Sequence, residues 1–130
     1  NYSNINWYVL RYADVLLLYA EALNEWKGSP TPEAYTAINM VRRRGFGTDV
    51  NTPNSQADLS GLDGTAFRKA VRDERAYELA FEGHRRQDLI RWGIYYDAIQ
   101  KRINMSYFLS HCVTCHCSNS LIKIQAGENK

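Results

Sequence analysis

A chain of 130 residues, 45% hydrophobic and 23% charged, is long enough for one domain with a real core and has the balance of an ordinary soluble fold. Sixteen basic against fourteen acidic side chains leave a net charge of +2, too weak to predict a polyanion partner, so nucleic acid is not indicated. The longest strongly apolar run, Val15 to Ala20, is far below the roughly twenty residues of a membrane-spanning helix, and the residues from Asn1 on carry neither the basic start nor the cleavage site of a targeting signal.

The first predicted helix runs from Tyr8 to Lys27. On a helical wheel Arg11, Asp14, Glu21 and Glu25 share one narrow stripe, and apolar residues such as Leu10, Leu16, Leu17, Leu18 and Leu23 take the remainder, so packing on several sides is expected. Tyr8, Tyr12, Tyr19 and Trp26 line one side, an aromatic stripe that reads as core. Gly28, Ser29 and Pro30 stop the helix, and Thr31 reads as the N-cap of the next, with Pro32 at its first position and Glu33 in its first turn.

The second helix, Pro32 to Arg44, has Ala34, Ala37, Ile38 and Val41 on one face. Arg43 lies opposite that face, while Arg42 and Arg44 flank it and suit carboxylate partners. A short connection makes the two helices antiparallel, an αα-hairpin of the TPR-like kind that stacks in helical repeats, with Gly45 placed for a left-handed C-cap. Thr48 to Gly64, rich in Asn, Ser, Asp, Thr and Gly, reads as a long irregular surface loop.

A third helix is expected from Thr65 to Phe81, capped by Asp63 or Thr65. Phe67, Ala70, Val71, Tyr77 and Phe81 form its apolar face, and Glu74, Glu78 and Glu82 fall inside that face. Carboxylates on a buried face need paired, hydrogen-bonded cations, for which Arg85, Arg86, Arg91 and the run Arg42 to Arg44 are at hand. An ionic lock between packed helices follows. Gly83 breaks the chain, and a short helix from Arg85 to Trp92 continues through Tyr95, Ile99 and Ile103. From Ser106 to Lys130 the character changes to a poorly ordered tail holding all three cysteines and two of the three histidines.

Three segments, RYADVLLLYAEALNE (Arg11 to Glu25), AINMVRRRGFG (Ala37 to Gly47) and ERAYELAFEGHRRQDLIRWG (Glu74 to Gly93), resemble in this order the C-terminal part of SusD/RagB-type nutrient-binding outer-membrane lipoproteins, over roughly Asn6 to Asn104. The resemblance implies an all-α fold in which 1–105 belongs to a larger helical domain and 106–130 is a divergent Cys/His-containing tail. It implies a non-catalytic, lipid-anchored, surface-exposed protein that binds oligosaccharide, starch among them, or another nutrient and passes it to a TonB-dependent, SusC-like transporter in the outer membrane. No cofactor is implied. In that family the ligand-contacting aromatics generally come from other parts of the chain, so no glycan-binding residue is transferred here.

The residues themselves offer other chemistries. Glu74, Glu78 and Glu82 as a glycosidase acid and base would have to face a sugar from two sides, whereas carboxylates four apart on one helix point the same way, so no catalytic residue is assigned. His84 lacks a ligand partner at helical spacing and reads as a capping or surface residue. His111, Cys112, Cys115, His116 and Cys117 offer a thiol-rich cluster, yet zinc sites draw a second ligand pair from a distant stretch, so no metal site is assigned. Of Trp7, Tyr8, Trp26, Trp92, Tyr95 and Tyr96, which could stack on sugars, most read as core and Trp92 with Tyr95 as the exposed pair. A helical-repeat interaction scaffold and a metal or thiol module on the tail cysteines stand as the alternative functions.

Overall fold

The computed structural model describes the backbone of residues 9–114 and side chains as far as residue 106. Five helices occupy this span: α1 Tyr12–Lys27, α2 Pro32–Gly45, α3 Gly64–Glu78, α4 His84–Arg91 and α5 Tyr95–Thr114. No strand occurs among the described residues, so the all-α expectation holds. The chain divides into a unit ending at Arg85 and a second beginning at Arg86.

In the first unit α1 packs on both α2 and α3, which also touch each other. Leu17 and Ala20 from α1, Ala34, Ala37, Ile38 and Val41 from α2, and Phe67 and Val71 from α3 make the core. The alanines let the helix axes approach closely, and Tyr35 closes the packing edge-on to Phe67 at 5.0 Å. Caps set the helix ends. Thr31 Oγ1 accepts from the Ala34 amide, and Asp63 Oδ1 accepts from the Ala66 amide at 2.7 Å. α3 must start with glycine for a different reason: a Cβ on Gly64 would lie 2.5 Å from the Gly28 carbonyl oxygen at the end of α1.

Several boundaries move. α1 begins at Tyr12 rather than Tyr8, because Arg11 is extended and its side chain leaves the helix. α2 runs through Gly45, so the left-handed position falls at Gly47 (φ 71°) instead of Gly45. There the Gly47 and Thr48 amides donate to the Arg44 and Arg43 carbonyls, which satisfies the last turn of the helix. The loop that follows is pinned to α2. Asn39 bonds both the amide and the carbonyl of Leu59, the Tyr35 hydroxyl bonds both groups of Leu62, and Ala57 is fully buried.

The larger correction concerns which way two helices face. In α1 the middle of the charged stripe points inward: Asp14 and Glu21 are buried, with Asn24 beside them, and Glu25 stays exposed on Arg68, while Tyr12, Tyr19 and Trp26, read as core, are 68%, 48% and 75% exposed. In α3 the buried arc is rotated toward Arg75, which turns Tyr77 out, and the helix ends at Glu78, before Phe81. Phe81 takes a left-handed conformation and is fully exposed. The cause is shared. Arg75 Nη1 donates to Asp14 Oδ1 at 2.6 Å, with side-chain exposures of 3% and 6%, and so draws the polar side of each helix into the interface.

The second unit holds most of α4 and all of α5. The Trp92 amide donates to the Asp88 carbonyl and the Ile94 amide to that of Leu89, which closes α4 before α5 begins. α5 passes the boundary expected at Ser106 and continues to Thr114. The remainder of that tail, with Cys115, His116 and Cys117, lies outside the described residues, as do Trp7 and Tyr8.

Removing one member of the buried Asp14–Arg75 pair strands the other in a dry interface. Asp14→Ala should cost about 3–5 kcal/mol in urea denaturation, and the double change Asp14→Leu with Arg75→Met much less than the sum of the single changes. A loss under about 0.5 kcal/mol for Asp14→Ala would place the pair in water.

Candidate functional site

Two features meet at one end of the three-helix unit, a cluster of ion pairs and a cleft. The cluster is built from chain ends. α3 carries Glu74 and Glu78 one turn apart, and the turn after it swings Glu82 to the same side. The last turn of α2 brings Arg42 and Arg44, and the extended residue before α1 brings Arg11.

Arg11 makes the densest set of contacts. Its Nε and Nη2 donate to the two oxygens of Glu82 at 2.9 and 2.6 Å, Nη2 also reaches the Glu78 carbonyl at 2.8 Å, and Nη1 lies 2.8 Å from Glu78 Oε1. Arg44 pairs with the other oxygen of Glu78. Arg42 donates to Glu74 at 2.9 Å and to the Ala57 carbonyl at 2.6 Å, tying the loop into the same network. The hydrogen bond from Arg11 holds the Glu82 carboxyl below its usual range against the opposing effect of burial, and bonding to Glu82 raises the Arg11 guanidinium in turn.

Among the expected partners, then, Arg42 and Arg44 take the glutamates. Arg85 instead donates to the Arg72 carbonyl, Arg91 pairs with Asp88 at 2.9 Å, and Arg86 is exposed. Arg43, read as facing away from the core, is buried under the loop, where both oxygens of Asp58 accept from it at 2.7 and 2.5 Å and Val50 contributes its carbonyl. Asp58 is held below the ordinary carboxylate range by that guanidinium.

Two key groups escaped sequence reading, Arg11 as the central cation and Arg75 as the partner of Asp14. A signal existed for the first: Arg11 shares its wheel position with carboxylates, and a stripe of mixed charge on an otherwise apolar helix suits an inward-facing ionic seam.

The cleft lies beside the cluster. It has a volume of about 290 Å³ between α1 and α2, with Tyr12, Leu16, Met40, Val41 and Val50 as its apolar wall and Arg11 and Arg44 at its polar end. Both arginines are already committed to Glu78, so the cleft offers shape and apolar surface more than free charge. Elsewhere the aromatics are scattered. Trp26 has the Lys27 ammonium 3.8 Å from its ring, Trp92 and Tyr95 are half-buried rather than exposed, and Tyr96 is 71% exposed. His84 is half-buried at the start of α4. Among the described residues no group of three or more His, Cys, Asp and Glu could hold a metal ion, and no helix is long and apolar enough to cross a membrane.

The sequence model of the SusD family matches residues 1–108. SusD-like protein P25 of Formosa agariphila is 48% identical over 100 residues, 77% of this chain and 18% of its own length. SusD-like protein P2 of the same organism is 38% identical over 90 residues, 68% of this chain and 17% of its own. The crystal structure of a SusD homolog from Bacteroides thetaiotaomicron superposes with a TM-score of 0.72 at 70% identity, covering 76% of this chain and 18% of that one. The chain thus spans under a fifth of the length of these relatives.

Glu82 and Asp58 bind a proton less readily folded than unfolded, so acid favours the unfolded chain. Stability should be at its full value above the ordinary carboxylate range and fall as the pH drops from about 5 toward 2, with Arg11→Gln flattening the slope. An unchanged slope in that variant, followed by urea midpoints, would mean the Arg11–Glu82 pair is absent in solution. At neutral pH, Glu78→Ala should cost about 1–3 kcal/mol, less than Asp14→Ala, because the arginines it releases can reach water.

Proposed function

The chain belongs to the SusD family, and on that premise we propose that it is the helical scaffold of a nutrient-binding protein at the bacterial cell surface. In this reading the whole protein is held to the outer membrane by a lipid anchor, captures oligosaccharides such as starch fragments, and delivers them to a SusC-like, TonB-dependent transporter. It performs no chemistry on them. The chain contributes no catalytic residue, cofactor or metal site, and the side chains that touch sugar lie elsewhere in the protein.

The family match over residues 1–108 carries the proposal. What the residues do agrees with it: the carboxylates that could have served as acid and base are tied up by Arg11, Arg42 and Arg44, a structural use that leaves none of them poised for proton transfer. A second reading, a helical-repeat scaffold that receives a peptide, draws on the apolar cleft between α1 and α2.

The two readings separate in one experiment on the full-length gene product. Maltoheptaose, xylohexaose and inulin-type fructans are titrated by calorimetry while reducing ends are assayed in parallel. Saturable binding of one sugar class with no new reducing ends is the expected outcome. New reducing ends would make the protein a glycosidase, and silence toward every sugar, with a peptide binding in competition with a probe in the cleft, would favour the scaffold. Tyr12→Ala, in the cleft wall, should leave sugar affinity within about twofold, since no contact is assigned to this chain.

A further inference from the structure

We propose that Arg11 is a latch on the end of α3: by holding Glu82 and the Glu78 carbonyl together it keeps the backbone of Phe81 left-handed, and on its release Leu79 to Glu82 coil into one more turn of the helix. The inference stands apart from the nutrient-binding reading.

Local preference and observed structure disagree at this turn. Leu79, Ala80 and Glu82 are good helix formers, and the sequence pattern carries α3 through Phe81, yet the helix stops at Glu78. Phe81 then takes φ 66°, the one non-glycine residue with positive φ among the described residues. For a residue with a Cβ that conformation is disfavoured about fivefold to thirtyfold. Among the described residues nothing packs on the ring to offset that cost, since Phe81 is fully exposed. A strained turn of this kind persists only where its surroundings hold it.

Arg11 supplies the hold. In a longer α3 the Glu82 amide would donate to the Glu78 carbonyl, four residues back. That carbonyl already accepts from Arg11 Nη2 at 2.8 Å, and the Glu82 amide turns to the Leu79 carbonyl at 3.3 Å. The same guanidinium grips both oxygens of the Glu82 carboxylate, at 2.9 and 2.6 Å. It thus takes the acceptor that the next helical turn needs and fixes the residue that would have to reach it. Buried Leu79 anchors the near side of the turn, and Gly83, at φ 84°, completes the far side without strain. Glycine at position 81 as well would make the turn permanent. Phenylalanine makes it conditional on the clamp.

Glycine and alanine at position 81 separate the two conformations, since both lose the ring while glycine favours the left-handed turn and alanine the helix. In the full-length gene product with Arg11 intact, Phe81→Gly should resist urea better than Phe81→Ala, with an unfolding constant about fivefold smaller. Combined with Arg11→Gln the order should reverse, the alanine variant becoming the more resistant by about fourfold. Alanine ahead of glycine with Arg11 intact would overturn the left-handed turn, and an order unchanged by Arg11→Gln would overturn the latch. Hydrogen exchange reads the same step with Phe81 in place. Peptides spanning Leu79 to Gly83 should exchange more slowly in Arg11→Gln than in the parent; unchanged or faster exchange would mean that the turn frays instead of coiling, and overturns the proposal. Where Arg11→Gln yields too little folded protein, Arg11→Lys keeps the charge, loses the fork and should narrow the gap between glycine and alanine, an unchanged gap again counting against the latch.

Discussion

The seam of charge between α1 and α3 is the constraint on which the rest of this unit depends. Asp14 and Arg75 sit where a pair of leucines would have been easier to bury, and Arg11 holds Glu78 and Glu82 at the open end of the same seam. Burying ions gains little net stability, since desolvation offsets most of the attraction. The free energy that holds the helices together comes instead from Leu17, Ile38, Phe67 and Val71, each contributing about 1.5–3 kcal/mol through burial. What the seam contributes is uniqueness. Sliding α1 by one residue, or turning it to put its apolar side inward, would leave several buried charges unpaired at once.

The same logic explains why three short segments, far apart in sequence, identify the family together. Each supplies part of one cluster: Arg11 from the first, Arg42 and Arg44 from the second, Glu74, Glu78 and Glu82 from the third. No single segment supplies the whole cluster, because the glutamates of α3 pair with cations brought by the other two segments. The long loop enters through the arginine run as well, with Arg42 on the Ala57 carbonyl and Arg43 on Asp58. A loop that would read as free surface is thereby made a fixed part of the helical unit, stitched along α2 from Tyr35 to Arg43.

Much of this was legible from local rules. Caps at Thr31 and Asp63, the break at Gly83 and the apolar face of α2 depend on neighbours within a few residues, and each stands where it was expected. Glu74 and Glu78 also announced their need for Arg42 and Arg44, because a carboxylate among apolar residues has few ways to be satisfied. Orientation was not legible. A helical wheel says which residues share a side and not which side faces in, and for α1 the answer turned on Arg75, sixty-one residues away. Tyr77 was misplaced for the same reason, once Arg75 had pulled the buried arc of α3 toward itself. Arg43 lay opposite an apolar face and still became buried, because a loop without any period covered it. The candidate site was half legible: the carboxylates and two cations were found, but Arg11, expected on the charged stripe of the first helix, was not matched to Glu78 and Glu82, because those partners lie about seventy residues away and only the packing of α1 on α3 brings them together.

A helix with its charges inward and its aromatics outward is upside down for a unit that ends in water, and the two faces are not equivalent in what they demand. An apolar face accepts any apolar surface of roughly fitting shape, so its partner can vary while volume and pattern are kept. A buried carboxylate accepts only a cation at one place, with its remaining lone pairs satisfied. Folding this unit therefore decides the α1–α3 contact by charge first and leaves the aromatic side uncommitted.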